Sequence, residues 1–454
     1  MKTTLVTGGA GFVGSHLVEA LPCCQTSNVC QRSGRHWMFD KVDNSAPKRI
    51  LIFSLAYLPF VGGAELAVKE VTDRIAPGEI EFDLVTLRFD GALSCVERVG
   101  NVTVHRLGFA RRGATINDTF RFPLSLNKIL FPFLATWKAF RLYGTRRYSA
   151  AWAIMANQAG FAVLFFTWLC PRVPFVLTLQ EGDPIEHILR RVGVMRPLFR
   201  QIFRRAAVVT AISKYLAEFA REMGARGKVE VIPNGVDLRN FQFSIFNFQS
   251  ISNDSIFKHA GPNTLRGRLG LADDDRVVIT VSRLVEKNGV DTLIEAMRFL
   301  PENVKLLILG AGPLEELLKA KSYKLKARVK FLGHVNHANL PEYLWLADVF
   351  CRPSRSEGMG SAFIEAMAAG VPVVATRVGG IPDFLRDEET GLFAEVDNPE
   401  SVAAQIARLL KDYELCERIR VSAREVAERY DWNTIASEMA TRAFFYRRVN
   451  DDYF

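Results

Sequence analysis

From Lys48 onward, short apolar runs alternate with segments of helical periodicity, the pattern that parallel strands joined by crossover helices impose on a chain. The runs Arg49–Leu55, Phe82–Leu87, Ala151–Met155, Phe175–Leu179, Ala207–Thr210 and Val229–Ile232 read as buried strands. Strands covered by helices on both faces are apolar throughout instead of alternating. A second series follows at Val277–Ser282, Lys305–Gly310, Val329–Leu332, Val349–Cys351 and Val373–Ala375. The stretch between them, Leu238 to Gly270, is irregular and reads as a linker with a loop insertion. Pro399 to Lys411 predicts a helix with Asn398 as N-cap, Pro399 at its first position and Val402, Ile406 and Leu409 on one face. The expected fold class is α/β, with two doubly wound, Rossmann-like domains in tandem, a number that 454 residues accommodate.

The first 47 residues do not share this pattern. Thr3 to Leu21 reads as a strand, a glycine turn and a helix start, with Gly8, Gly11 and Gly14 spaced as in a dinucleotide-binding turn. It resembles the opening of the NAD-dependent nucleotide-sugar epimerases and dehydratases. Such a unit needs a second strand ending in an acidic ribose ligand about 20 residues on. Here the chain runs instead into Pro22 to Trp37, without periodicity, and none of its ten tyrosines has a lysine four residues later. The cofactor half-site is cut off and that family's Tyr-x-x-x-Lys pair is missing. Residues 1–37 therefore read as a broken remnant or a misjoined start, with Met38 as the alternative beginning, and no NAD site is expected.

Several function classes are excluded by composition. With 49% hydrophobic and 24% charged residues the chain is neither disordered nor fibrous. Its longest strongly apolar stretch, Gly160 to Cys170, is about half of the roughly 20 residues that cross a bilayer. The start reaches glycines before building a secretory h-region. The seven cysteines, at 23, 24, 30, 95, 170, 351 and 416, lack paired spacing and read as reduced thiols of a cytoplasmic protein. The net charge of +9 is unevenly spread: Asn101 to Gly235 holds 20 Lys and Arg against 7 Asp and Glu, whereas Val236 to the end holds 28 against 31. A basic half beside a near-neutral half suggests an anionic partner for the first, or a solvated basic face.

The densest chemistry lies in Ser354 to Pro372, SRSEGMGSAFIEAMAAGVP. Glu357 precedes the loop Gly358-Met359-Gly360, and Glu365 follows eight positions later. Ser361 is the expected cap of a helix closed by Gly370 and Pro372. Open amides at that helix start form an anion site, and the glycines admit a phosphate. Carboxylates there would repel phosphate, so Glu357 and Glu365 read as hydroxyl acceptors, Glu365 leaning back toward the helix start.

This Glu-x7-Glu element resembles that of the family 4 glycosyltransferases, and the likeness extends from about Lys48 to about Arg448. Val231 to Asp237 (VIPNGVD) resembles the family's phrase joining its two domains. Val281 to Gly289 (VSRLVEKNG) is similar to the strand and loop whose arginine and lysine hold the donor diphosphate. Leu309-Gly310-Ala311-Gly312-Pro313 and Phe331 to Val335, with Gly333 and His334, resemble the loops around the nucleoside, and Pro59 to Glu65, with Gly62 and Gly63, the glycine loop facing the cleft. The resemblance implies a GT-B fold, a retaining mechanism and a nucleotide-diphosphate sugar as donor, with no cofactor and no metal. It implies an acceptor-side domain at 48–235, and a donor domain at 236–454 whose last helix packs back on the first. By the same resemblance Glu365 holds the ribose, Glu357 a hydroxyl of the transferred sugar, and Arg283 and Lys287 the diphosphate. Fixed cations at a leaving diphosphate stabilise the charge that develops there. Family members usually carry the lysine directly before the glycine, where this chain has Asn288: either the loop shifts, or Asn288 supplies a weaker neutral contact.

The acceptor side is less defined. Glu181 and Asp183, in Leu177 to Pro184, and Asn157 to Gly160 are candidates for acceptor hydroxyls, Asp183 equally for a cap. Gln180 stands where the family often has a histidine. Between Phe109 and Tyr148, Arg111, Arg112, Arg146 and Arg147 interleave with aromatics such as Phe133 and Trp137, a mixture suited to peripheral contact with an anionic membrane at its inner face. No motif for nucleic acid accompanies it. The expected acceptor is a glycan or a lipid-linked one. Two other readings compete: a catalytically silent glycosyltransferase-like subunit that binds a nucleotide sugar, and an NAD-dependent epimerase.

Overall fold

The computed structural model describes residues 47–60, 62–114, 118, 122–241, 264–325 and 327–445. The epimerase-like start and most of the expected linker lie outside these residues. The first lobe is built on eight strands: β1 (Lys48–Phe53), β2 (Ile80–Leu87), β3 (Val96–Val99), β4 (Val102–Leu107), β5 (Ala150–Ile154), β6 (Phe175–Leu179), β7 (Val208–Ala211) and β8 (Lys228–Val231). Their order is β3-β4-β2-β1-β5-β6-β7-β8, parallel except for the β3–β4 pair. The second lobe has six parallel strands: β9 (Arg276–Val281), β10 (Val304–Leu309), β11 (Val329–Gly333), β12 (Val349–Arg352), β13 (Val373–Thr376) and β14 (Leu392–Ala394). They run β11-β10-β9-β12-β13-β14. This is the doubly wound dinucleotide-binding order, in which the chain reverses between β9 and β12 and leaves a crevice at their carboxyl ends.

Strands β3, β4 and β14 are additional to those expected. In β4 the sequence VTVHRL breaks its apolar run with His105 and Arg106, both buried. His105 Nε2 lies 2.9 Å from Asp83 Oδ1, and Arg106 donates to the Leu58 carbonyl at 2.6 Å. Those partners are remote in sequence. Another correction concerns the end of the linker, where Leu265–Arg268 is a helical turn capped by Thr264. Buried Arg266 there donates to the carbonyls of Ala272 and Asp275, both at 2.6 Å.

Alternate side chains of each strand point to opposite faces. One face of the first sheet, through Leu51, Phe53, Ala151, Leu177 and Val209, carries the helices Leu124–Thr145, Gln158–Leu169, Arg196–Arg205 and Lys214–Glu222. The other, through Ile50, Ile52, Trp152 and Val176, carries the helix Gly63–Asp73 and the end of the chain. After β14 the helix Pro399–Lys411, with the Asn398 side chain accepting from Ser401 N at 2.9 Å, and the helix Tyr413–Glu428 cover the second sheet. The chain then crosses back. Val236 N donates to Tyr430 O at 2.7 Å, and Trp432–Met439 continues into a wider turn, Ala440–Phe444. The Phe444 ring meets Trp152 edge-on at 5.0 Å and Phe82 at 6.2 Å, while Arg442 pairs with Glu230.

Phe444 is thus a core residue of the first lobe supplied by the end of the chain. Truncating a buried phenylalanine costs about 3–5 kcal/mol. Phe444→Ala is therefore expected to lower the urea midpoint of unfolding, followed through the Trp152 environment by fluorescence; an unchanged midpoint would show that the tail does not stabilise this sheet.

Candidate active site

The carboxyl ends of both sheets open on one cleft of about 1240 Å³. In open α/β sheets this edge is where ligands bind, since loops there present unpaired amides and side chains from several strands. Twelve of the thirteen expected site residues line it: Gly62, Gly63, Arg283, Lys287, Gly310, His334, Glu357, Gly358, Met359, Gly360, Ser361 and Glu365. Gly312 does not. It packs under the β9 loop, where a β-carbon would sit 2.4 Å from Leu284 O.

On the second lobe, the segment after β12 turns into the helix Ser361–Ala368. Ser361 is its first helical residue and not its cap, correcting the sequence expectation. The capping position belongs to Gly360 at φ +88°, a left-handed conformation that glycine adopts without strain. Phe363 N already bonds Gly360 O at 3.0 Å. The amides of Ser361 and Ala362 are therefore the open donors at the helix start among the described residues. Glu357 has both oxygens engaged: Oε2 accepts from Arg352 Nη2 at 2.5 Å, and Oε1 from Gly358 N at 3.1 Å. Arg352, at the end of β12, is buried, donates to Val281 O at 3.2 Å and lies over the Phe363 ring at 4.3 Å. Buried Glu365 accepts from or shares a proton with His337 Nε2 at 2.9 Å. That bond, more than the opposing burial, holds the His337 imidazole above its ordinary value.

Arg283 is exposed in the cleft, and among the described residues its guanidinium has no hydrogen-bonded partner. Lys287 reaches across to the first lobe, its Nζ 3.2 Å from Asp183 Oδ1. Asn288 is buried and donates to Arg283 O at 2.7 Å. Its amide is spent inside the loop, while Lys287 is the side chain that extends to Asp183.

The first-lobe wall comes from the ends of β5 and β6 and from the glycine loop. Glu65 caps that loop, its Oε2 accepting from Gly62 N at 2.9 Å. Burial raises the Glu65 carboxyl above its usual range, and the charge of Arg283 opposes the shift. Asp183 pairs with Lys287 and does not cap the helix Ile185–Val192, which begins after Pro184 without a side-chain cap. Glu181 is buried: Oε1 accepts from Ala156 N at 2.7 Å, and Oε2 has no partner among the described residues. Gln180 accepts from Asn234 Nδ2 at 3.1 Å, bracing the interdomain phrase. One of the expected membrane-facing cations is misassigned. Arg146 donates to buried Asp83 at 2.6 Å, beside Tyr148 at 2.8 Å from the same carboxylate, and so belongs to the frame of the first lobe.

Among the polar cleft residues, His337, Arg352 and the loop-capping role of Glu65 escaped the sequence reading. Arg352 left a signal, a lone arginine closing an apolar strand run, because a charge at the buried end of a strand must have a partner. The other two depend on loop geometry.

Burial pushes the Glu181 carboxyl up to about 7. A carboxyl raised on folding holds a proton between its unfolded and folded values, so folding stability falls as pH rises through about 4.5 to 7. Glu181→Gln keeps an acceptor for Ala156 N and removes the titration. Above pH about 7 the variant should be more stable than the parent, on the order of 3 kcal/mol at most, and below about 4.5 nearly equal to it. Thermal melts across that range check this; parallel curves would refute it.

A family profile described as glycosyl transferases group 1 matches residues 263–426, and one described as glycosyl transferase 4-like domain matches residues 62–235. An uncharacterized glycosyltransferase of Methanocaldococcus jannaschii is 35% identical over 417 residues, covering 86% of this chain and 96% of that protein. A GDP-mannose-dependent alpha-(1-6)-phosphatidylinositol monomannoside mannosyltransferase of Mycobacterium tuberculosis is 33% identical over 264 residues, 54% of this chain and 65% of that protein. Among solved structures, Anabaena HepE in complex with UDP-glucose superposes with a TM-score of 0.66 at 22% identity, covering 87% of this chain and 98% of that one. The epimerase likeness of residues 1–21 is not borne out, both profile matches lying beyond it. The chain belongs to the group 1, family 4 glycosyltransferases and has their GT-B fold.

Proposed function

We propose that this glycosyltransferase moves a sugar from a nucleoside-diphosphate donor to a glycan or lipid-linked acceptor, with retention of anomeric configuration and without a metal. The observation that carries the reading is the convergence on one cleft of Arg283, Lys287, the open amide of Ser361, and two carboxylates, Glu357 and Glu365. Residues 48–235 form the acceptor half in this reading and 236–454 the donor half. As the glycosidic bond breaks, negative charge grows on the leaving diphosphate. Fixed donors already aimed at that point stabilise it without reorganisation. Arg283 offers a planar fork, Lys287 a point charge, and the helix start a dipole. Lys287 is held by Asp183 at 3.2 Å and exchanges that carboxylate for phosphate.

Glu365 lies near the helix start, where it accepts the ribose hydroxyls, and His337 fixes its orientation. Gly310, Gly312 and His334 shape the loops around the nucleoside. Arg352 holds Glu357 in place to meet a hydroxyl of the transferred sugar. Two similarities support the donor class: the mycobacterial relative is named for GDP-mannose, and HepE, of the same fold, is in complex with UDP-glucose. A catalytically silent subunit is the second reading. It is favoured by Asn288 and Gln180, both occupied in holding loops where the family usually has a lysine and often a histidine.

Arg283→Ala is expected to reduce turnover about 100-fold or more, the scale of one preorganised donor, and Lys287→Ala to cost less. Glu365→Ala should weaken nucleotide binding by about 1.5–3 kcal/mol, the scale of a hydrogen bond to a charged group. Screening nucleotide sugars by thermal shift identifies the donor, since a ligand at 100 times its Kd stabilises by about 2.7 kcal/mol. Release of nucleoside diphosphate with an acceptor, and the anomeric coupling of the product by NMR, then test the reaction. Donor binding without any release across acceptors would select the silent subunit.

A further inference from the structure

The sheet face opposite the tail carries three adjoining helices, Leu124–Thr145, Gln158–Leu169 and Arg196–Arg205. Their outward sides are not those of an ordinary solvated surface. On the first, Ile129, Phe133, Trp137 and Phe140 recur at helical spacing, and on the second Trp168 and Leu169 stand beside them; all six are between 48% and 67% exposed. The rings form a continuous ridge across the helices: Phe133 stacks on Phe165 at 5.6 Å, and Phe165 meets Trp168 at 5.2 Å. Phe161 joins this ridge at 6.5 Å from Phe165 and packs at 6.3 Å on Phe199, a buried residue of the third helix. Contiguous exposed apolar surface of this kind marks an interaction site.

The charge carried by the same helices identifies its occupant. On the third helix Arg196, Arg200 and Arg204 recur every four residues, and among the described residues none of them pairs with an acid. Arg141 lies over the Trp137 ring at 5.0 Å, a cation held beside an exposed indole. Aromatic rings at headgroup depth with arginines around them match an anionic lipid surface. A second copy of the chain would bring the same arginines against each other. The ridge is also continuous with the cleft, since Phe161, Lys128, Arg191 and Met195 line its rim. Lys128 is held below its ordinary value, by burial and then by the charge of Arg191, so two cations crowd at that edge.

We propose that this three-helix face docks on an anionic membrane, seating Phe133, Trp137 and Trp168 among the headgroups so that a lipid-borne acceptor enters the cleft past Lys128 and Arg191. It deepens the transferase reading, on which the identity of the acceptor rests, while the docking itself stands apart from donor binding. It also replaces the sequence-based choice of cations, since Arg146 is committed to Asp83.

The test is sedimentation of the full chain with vesicles of phosphatidylcholine, alone or mixed with phosphatidylglycerol. Binding is expected only to the mixed vesicles, with a blue shift of tryptophan fluorescence. Salt should release the protein, because screening acts over about 8 Å at physiological strength. Arg196→Gln with Arg204→Gln should weaken binding roughly 25-fold, about fivefold for each cation. Trp137→Ser with Trp168→Ser should remove the blue shift. Both double variants should keep the thermal shift given by nucleotide sugars, which also shows that they are folded. No sedimentation of the parent at low salt overturns the proposal, as does binding that both double variants leave intact. Self-association of the parent that Trp137→Ser abolishes would assign the face to a second copy instead and overturns it too. Vesicle binding without nucleotide-sugar binding would support the docking face and remove the transferase reading.

Discussion

The two lobes meet through bare backbone. A β-carbon at Gly358 would lie 2.3 Å from the carbonyl oxygen of Glu181, and one at Gly380 would lie 2.5 Å from Ser213 Cβ. Around that contact Ser356 donates to Gly182 O at 3.2 Å, and Lys214 N to Asp383 Oδ2 at 2.7 Å. The rest of the site is measured from here. With Gly358 against the end of β6, Glu357 comes to the cleft floor and the helix beginning at Ser361 aims its open amides into the gap. Lys287 also comes within reach of Asp183. Any side chain at 358 would push the two backbones apart by about 1 Å, from 2.3 Å to ordinary van der Waals contact, and loosen these juxtapositions together.

A second tie lies where the chain crosses between lobes. Among the described residues it does so at Asn234–Val236 and at Tyr430–Trp432, and these segments are bonded to each other: Val236 N donates to Tyr430 O at 2.7 Å and Trp432 N to Val236 O at 3.4 Å. Gly235 is small because the Trp432 indole covers it, leaving only 2.6 Å for a β-carbon. Two short segments held side by side make an axis. The tail beyond Trp432 is buried in the first lobe through Phe444, which ties the end of the second lobe to the first sheet.

How much of this could be read from the chain follows from where each partner lies. Parallel strands under helices are uninterrupted apolar runs, and these were legible in both lobes; β4 was not, because His105 and Arg106 look solvated until Asp83 and Leu58 are placed beside them. In the site, Arg283, Glu357 and Glu365 were legible because their segments carry local motifs. His337 and the contact of Glu65 were hidden, since a histidine between Asn336 and Asn339 and a glutamate in a helix start carry no mark of the group they will touch. Ser361 was placed one position early for a related reason: composition permits a serine cap, but the left-handed backbone at Gly360 decides the boundary. Arg146 stands next to Arg147 and reads as a surface cation, while its acid partner lies 63 residues away in the chain.

The displaced lysine shows how backbone constraint decides where charge can be placed. The turn Glu286–Asn288 closes at Gly289 with φ +64°, and a β-carbon there would lie 1.9 Å from Pro353 O, so the loop is pinned against β12. Position 288 therefore points into protein, where its side chain must satisfy Arg283 O. A lysine directed there would bury an ammonium group against one carbonyl, at a desolvation cost that a single neutral acceptor does not offset. An asparagine amide meets that carbonyl without charge and fixes the backbone that presents Arg283. The adjacent position is half-buried and faces the gap, so the cation moves there at little cost and finds Asp183 opposite. A cation thus reaches the cleft from one residue earlier, and it arrives there paired with Asp183.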